Sequence, residues 1–168
     1  IGFNPMSRTS LPEQEDIRLD SRWRQKFLKL VGEDVNACKE PKLCLYWEVW
    51  HHAFPDAKWV IVQRPKEEVL KSVMERTPWM AKAGLSRGEW EAWIGHHVKR
   101  IRQLKENGIE HMTVNSTKIV EGNFGQLKRC VEWCGLEWHL RGVKKCILSD
   151  ATYCPVPGKK MQNEEVAE

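Results

Sequence analysis

One stretch limits what this chain can fold into: Trp59 to Ser72, WVIVQRPKEEVLKS. Lys58 to Gln63 is short, apolar and rich in β-branched residues, which predicts a strand. Arg64 and Pro65 follow without a spacer. Proline fixes φ near the helical value and loses nothing by lacking an N–H at a helix start, so a helix opens there. Val69, Leu70 and Val73 give that helix an apolar side, and Thr77-Pro78 stops it. A buried strand that feeds a helix directly is half of a β-α-β unit, and it implies a parallel partner strand further along the chain.

The rest of the chain fits that expectation. Pro12, followed by Glu13, Glu15 and Asp16, predicts a first helix whose apolar residues run from Ile17 to Val31, with Gly32 ending it. Asp34 to Cys38 is a weak strand candidate, Leu43 to Ala53 reads as a helix, and Phe54 to Ala57 as a turn. Ser86 and Glu89 have capping-box spacing, so a long helix is expected from Arg87 to Glu106, closed by Asn107-Gly108. His111 to Asn115 reads as another strand, and Phe124 to Cys134 as a helix ended by Gly135. Val143 to Leu148 fits either a strand or a helix. Strands alternating with helices predict an α/β fold with a short parallel sheet covered on both faces.

A length of 168 residues suits one domain. Residues 1–157 are expected to form it, with a polar, disordered tail over 158–168. The formal net charge of +4 suits a small anionic ligand, and nucleic acid is not the expected partner. No apolar run is long enough to span a membrane, and no signal-peptide pattern is present. The six cysteines include no CxxC, so buried thiols in a reducing cytoplasm are expected rather than zinc or disulfides. Most of the nine tryptophans are assigned to the core.

Ligands of open α/β sheets bind outside the carboxyl ends of the strands, which is where Arg64 falls. A helix start presents free N–H groups to an anion, and a guanidinium grips phosphate in a plane. Ser72, about two helical turns further on, contributes only if a ligand lies along the helix. The plainer alternative is that Arg64 pairs with a carboxylate and Ser72 is a packing residue.

The segment PDAKWVIVQRPKEEVLKS resembles the part of sulfotransferases that binds the 3′-phosphate of the donor 3′-phosphoadenosine 5′-phosphosulfate (PAPS): a strand, then Arg and Pro, then an acidic-apolar helix with Ser eight residues after Arg. Arg64 and Ser72 match its two phosphate-binding positions. Upstream, CKEPKLCLYWEVW is similar to the Lys-x-Pro strand end and helix of bacterial-type sulfotransferases. Downstream, HHVKRIRQLKENGIEHMTVNSTKIVEGNFGQLKRCVEWCGLEW resembles their late helix, strand, turn and helix. The resemblance covers roughly Asn36 to Trp138. It implies a helix-rich three-layer α/β/α fold of P-loop NTPase type, with PAPS as donor and no metal. The family's opening turn, commonly Pro-Arg-Ser-Gly-Thr-Ser, holds the 5′-phosphosulfate on backbone N–H groups. Asn4 to Leu11, NPMSRTSL, lacks its glycine and is followed by Pro12 and acidic residues. The expectation is therefore a chance likeness, with the true loop lying before Ile1 or absent.

The resemblance also implies that the end of the Asp34–Cys38 strand faces the acceptor, a small molecule or glycan. Glu40 is the candidate base for an acceptor hydroxyl or amine, and Lys39 the candidate neutraliser of developing charge. A surface ion pair before a proline turn is the alternative. His51 and His52 are secondary base candidates, while His96 and His97 point in different directions from one helix. Lys99, Arg100, Arg102 and Lys105 read as a solvated basic face, as do Lys144-Lys145 and Lys159-Lys160. Two other functions remain open: a noncatalytic basic module for an acidic partner or nucleic acid, and a small-molecule kinase of related fold. The absence of GxxxxGK[ST] counts against the kinase.

Overall fold

The computed structural model describes residues 19–31, 37–75 and 85–149. The chain forms two compact units, Ile1–Thr117 and Lys118–Glu168.

The first described helix, α1, is Trp23–Val31. The part of the expected helix before Leu19 lies outside the described residues, and Leu19 and Asp20 are not helical. Asp20 explains the later start. Its Oδ1 accepts the Arg22 backbone N–H at 2.8 Å, and its carbonyl accepts that of Trp23 at 3.0 Å. A short acidic side chain here takes local N–H groups and sets a helix start rather than a helix interior. A 3₁₀ turn, Leu43–Tyr46, runs into helix α2, Trp47–Ala53. Residues 34–36 of the expected strand lie outside the described residues, and Ala37 and Cys38 are not in a strand.

Strand β1 is Trp59–Gln63 and helix α3 is Lys66–Glu75. The carbonyl of Pro65 accepts from both Glu68 and Val69 N–H, at 3.0 and 3.1 Å, so the proline starts the helix as its chemistry predicts. Helix α4 covers Arg87–Glu106. Its capping box is complete: Ser86 N–H donates to Glu89 Oε2 at 2.8 Å, and Glu89 N–H donates to Ser86 Oγ at 3.3 Å. Gly108, at φ +73°, supplies the left-handed residue that ends it. Strand β2, His111–Asn115, lies parallel to β1, with Trp59 opposite His111 and Gln63 opposite Asn115. Helices α3 and α4 thus lie on the crossover between two parallel strands, the arrangement that the direct strand-to-helix passage implied.

Among the described residues, three apolar clusters build this unit. Leu70 and Val73 of α3 pack with Trp90 and Ile94 of α4. Phe27 of α1 packs with Val49 and Ala53 of α2, and its ring stacks on Trp50 with centroids 3.9 Å apart. Ile61 of β1 meets Trp47 and Leu104. Coverage of β1 is one-sided among the described residues, because Val60 and Val62, on the face opposite Ile61, are exposed. The helix-rich α/β fold with a short parallel sheet is as expected, and the cover described here lies on the Ile61 side.

Helix α5, Ser116–Val120, spans the division between the units. The second unit continues with α6, Gly125–Trp133, and α7, Leu140–Ser149. Gly135, at φ +79°, follows the end of α6. The ambiguous Val143–Leu148 segment is helical. Leu140, Val143 and Ile147 repeat at spacings of three and four, a helical period that the strand alternative ignores. No helix among the described residues is long and apolar enough to cross a membrane.

Candidate functional site

Parallel pairing brings the carboxyl ends of β1 and β2 side by side, and Ser116 Oγ donates to the Gln63 carbonyl at 3.2 Å across that edge. Arg64 leaves β1 at the same edge. Its Nε–H donates to Glu68 Oε2 at 2.9 Å, one helical turn into α3. Thr117 Oγ1 donates to the same oxygen, also at 2.9 Å. The Glu68 carboxyl is held below its ordinary range, first by the Arg64 hydrogen bond and then by that of Thr117. Among the described residues, the Nη1 and Nη2 amino groups of Arg64 donate to nothing, and 30% of its side chain is exposed.

The plainer expectation for Arg64 therefore holds in part: it does pair with a carboxylate. The pair uses one of the five N–H donors of the guanidinium and leaves both amino groups for another acceptor. Ser72 is half-buried on α3. Arg64, Glu68 and Ser72 follow one another at intervals of four, so Glu68 and Ser72 stand on one ridge of the helix with Arg64 at its head. Ser72 lies about 9 Å along the axis from Lys66. An anion gripped by Arg64 must extend along this ridge to reach the Ser72 hydroxyl.

Lys39 and Glu40 are exposed and sit on an irregular lead-in to the 3₁₀ turn, not at the end of a described strand. Glu40 works locally. Its Oε1 accepts the Lys42 N–H at 3.2 Å, and its carbonyl accepts that of Leu43 at 3.0 Å. Of the secondary candidates, His52 is exposed, and the His51 Nδ1 is buried with no partner among the described residues. His97 is held within its own helix. Its Nδ1–H donates to the Trp93 carbonyl at 2.8 Å, and burial pushes its pKa down.

The basic run on α4 needs a correction. Arg100 is fully buried rather than solvated. Both Glu48 oxygens accept from its Nη2, the closer at 2.5 Å, while the Leu45 carbonyl accepts from Nε and Nη2 and Gln103 from Nη1. The sequence carried a signal for this. Arg100 follows Trp93 by seven residues and His97 by three, and precedes Leu104 by four, which puts it on the inward stripe of the helix.

A family model described as a sulfotransferase domain matches residues 6–133, more than half of the chain. The chain belongs to the sulfotransferase domain family. The match includes Lys39, Glu40, Arg64 and Ser72 and reaches further toward the N-terminus than the sequence resemblance. It thereby takes in Met6 to Leu11, which lie outside the described residues. Neither a curated protein nor a solved structure shows significant similarity to the chain.

Proposed function

We propose that this protein transfers a sulfuryl group from PAPS to a hydroxyl or amine of a small-molecule or glycan acceptor. The observation that carries the reading is Arg64. In a chain of the sulfotransferase domain family, it stands at the carboxyl end of a parallel strand and at the head of a helix, with both Nη groups undonated among the described residues. Its planar fork suits a phosphate, and the first turn of α3 adds N–H groups of the right sign. Arg64 and Ser72 would hold the 3′-phosphate. PAPS supplies the activated sulfuryl group. Glu40 would accept the proton of the acceptor, and Lys39 would offset negative charge that develops nearby. The exposure of both leaves them accessible to an acceptor. Among the described residues, Cys38, Cys44, Cys130, Cys134 and Cys146 stand outside any disulfide, which supports placement in a reducing cytoplasm.

Calorimetric titration with 3′-phosphoadenosine 5′-phosphate, the desulfated donor, tests the reading. Saturable binding that AMP does not match is the expected result. A protein that ignores this nucleotide but binds ATP with magnesium, or that binds nucleic acid with steep salt dependence, overturns it.

A further inference from the structure

We propose that Glu68 and Thr117 are positioning residues of the donor site. They hold Arg64 by its Nε so that both Nη groups remain for the 3′-phosphate. The inference rests on the reading that Arg64 binds that phosphate, and it assigns two residues that the sequence pattern does not single out.

Arg64 has a flexible stem, and a guanidinium on such a stem grips an anion well only when its plane is fixed beforehand. Glu68 fixes it economically. A carboxylate that chelated Nε and an amino group together would occupy one of the forks a phosphate needs. Here a single contact, Nε to Oε2 at 2.9 Å, pins one corner of the plane. Thr117 secures the pin, since its hydroxyl donates to that same Oε2 at 2.9 Å. Thr117 is itself placed by its neighbour. It follows Ser116, whose hydroxyl closes on the Gln63 carbonyl, the residue just before Arg64. The Ser116 hydroxyl thereby joins the ends of the two strands, and the Glu68 carboxylate joins Arg64 to Thr117 beside them.

The same contact admits the opposite meaning: Glu68 could compete with the anion for Arg64. The two meanings predict effects of opposite sign. If Glu68 positions Arg64, Glu68→Ala weakens binding of 3′-phosphoadenosine 5′-phosphate roughly tenfold, by analogy with the loss of partners that orient metal ligands. Glu68→Gln stays close to wild type, because its amide oxygen still accepts from Nε–H. Thr117→Val weakens binding a few-fold, at roughly half the logarithmic effect of the alanine variant, and Thr117→Ser restores it. AMP affinity, which does not sense the 3′ site, stays unchanged in all four. Equal or tighter binding of the 3′-phosphorylated nucleotide by both Glu68→Ala and Glu68→Gln overturns the proposal in favour of competition. Parallel losses for both nucleotides overturn it in favour of a merely structural role. Arg64→Ala separates the levels. If it abolishes the preference for the 3′-phosphate while Glu68→Ala and Thr117→Val keep it, the positioning claim alone fails. If wild type shows no such preference, the donor-site reading and this proposal fall together.

Discussion

Arg64 and Arg100 each meet a glutamate, and their surroundings give them opposite tasks. Arg100 is fully buried, and its donors are taken up by Glu48, Gln103 and the Leu45 carbonyl, which ties α4 to the 3₁₀ turn and α2. Arg64 lies at the carboxyl edge of the sheet, about one-third exposed, with a single donor engaged by Glu68. A buried charge needs its hydrogen bonds filled, because each unfilled donor there costs desolvation energy without return. An arginine at an open edge has no such requirement, so its remaining donors are available to a ligand. A guanidinium with all three nitrogens engaged holds a fold together, whereas one that is oriented but unsaturated is equipped to bind.

Breaking the buried pair should have the largest effect. Arg100→Ala or Glu48→Ala strands its partner and is expected to cost about 3–5 kcal/mol in urea unfolding. Joint replacement by Arg100→Met and Glu48→Leu should recover most of that. A loss below about 1 kcal/mol in the single variants would put Arg100 in the solvated class and erase the contrast. Arg64→Ala should show the reverse profile, with stability changed by less than about 1 kcal/mol, as for exposed pairs. Ligand binding should instead fall by about 1.5–3 kcal/mol, the range for a hydrogen bond to a charged group. Between these lies the cap of the helix that carries Arg100: Ser86→Ala should cost about 1 kcal/mol, visible as a small drop in thermal midpoint.

The smallest effect is a pH dependence at the edge. The folded-state pKa of Glu68 is depressed, so its contribution to stability is present above the ordinary value of 4.5 and is lost as pH falls through the lowered folded value. With 39% of its side chain exposed, solvent screening limits this to roughly half a kcal/mol. Acid titration of stability should therefore be slightly flatter in Glu68→Gln than in wild type. An equal slope would mean that the Arg64 and Thr117 contacts do not persist in solution.

Much of the frame could be read from local chemistry. The bounds of α4 followed from a capping box and an Asn-Gly stop, and β1 from a short β-branched run, each complete within a few residues. Arg64 was placed at a strand exit by the same kind of signal. What the sequence concealed depends on contacts between distant segments. Thr117 reaches Glu68 across 49 residues, and Arg100 reaches Glu48 across 52, distances over which no spacing rule operates. Arg100 also showed how a run of like charges misleads: Lys99 and Arg102 are exposed, while their neighbour turns inward on the helical period. The strand expected before Lys39 rested on five residues of weak propensity, and Ala37 and Cys38, which fall among the described residues, do not form it.

The central claim is that Arg64 reads a 3′-phosphate, and a two-by-two binding cycle tests it most directly. Wild type and Arg64→Ala are each titrated with 3′-phosphoadenosine 5′-phosphate and with AMP. The account predicts a roughly ten- to hundredfold loss for the 3′-phosphorylated nucleotide alone, with AMP affinity unchanged. Equal losses for the two nucleotides, or no loss for either, would contradict it.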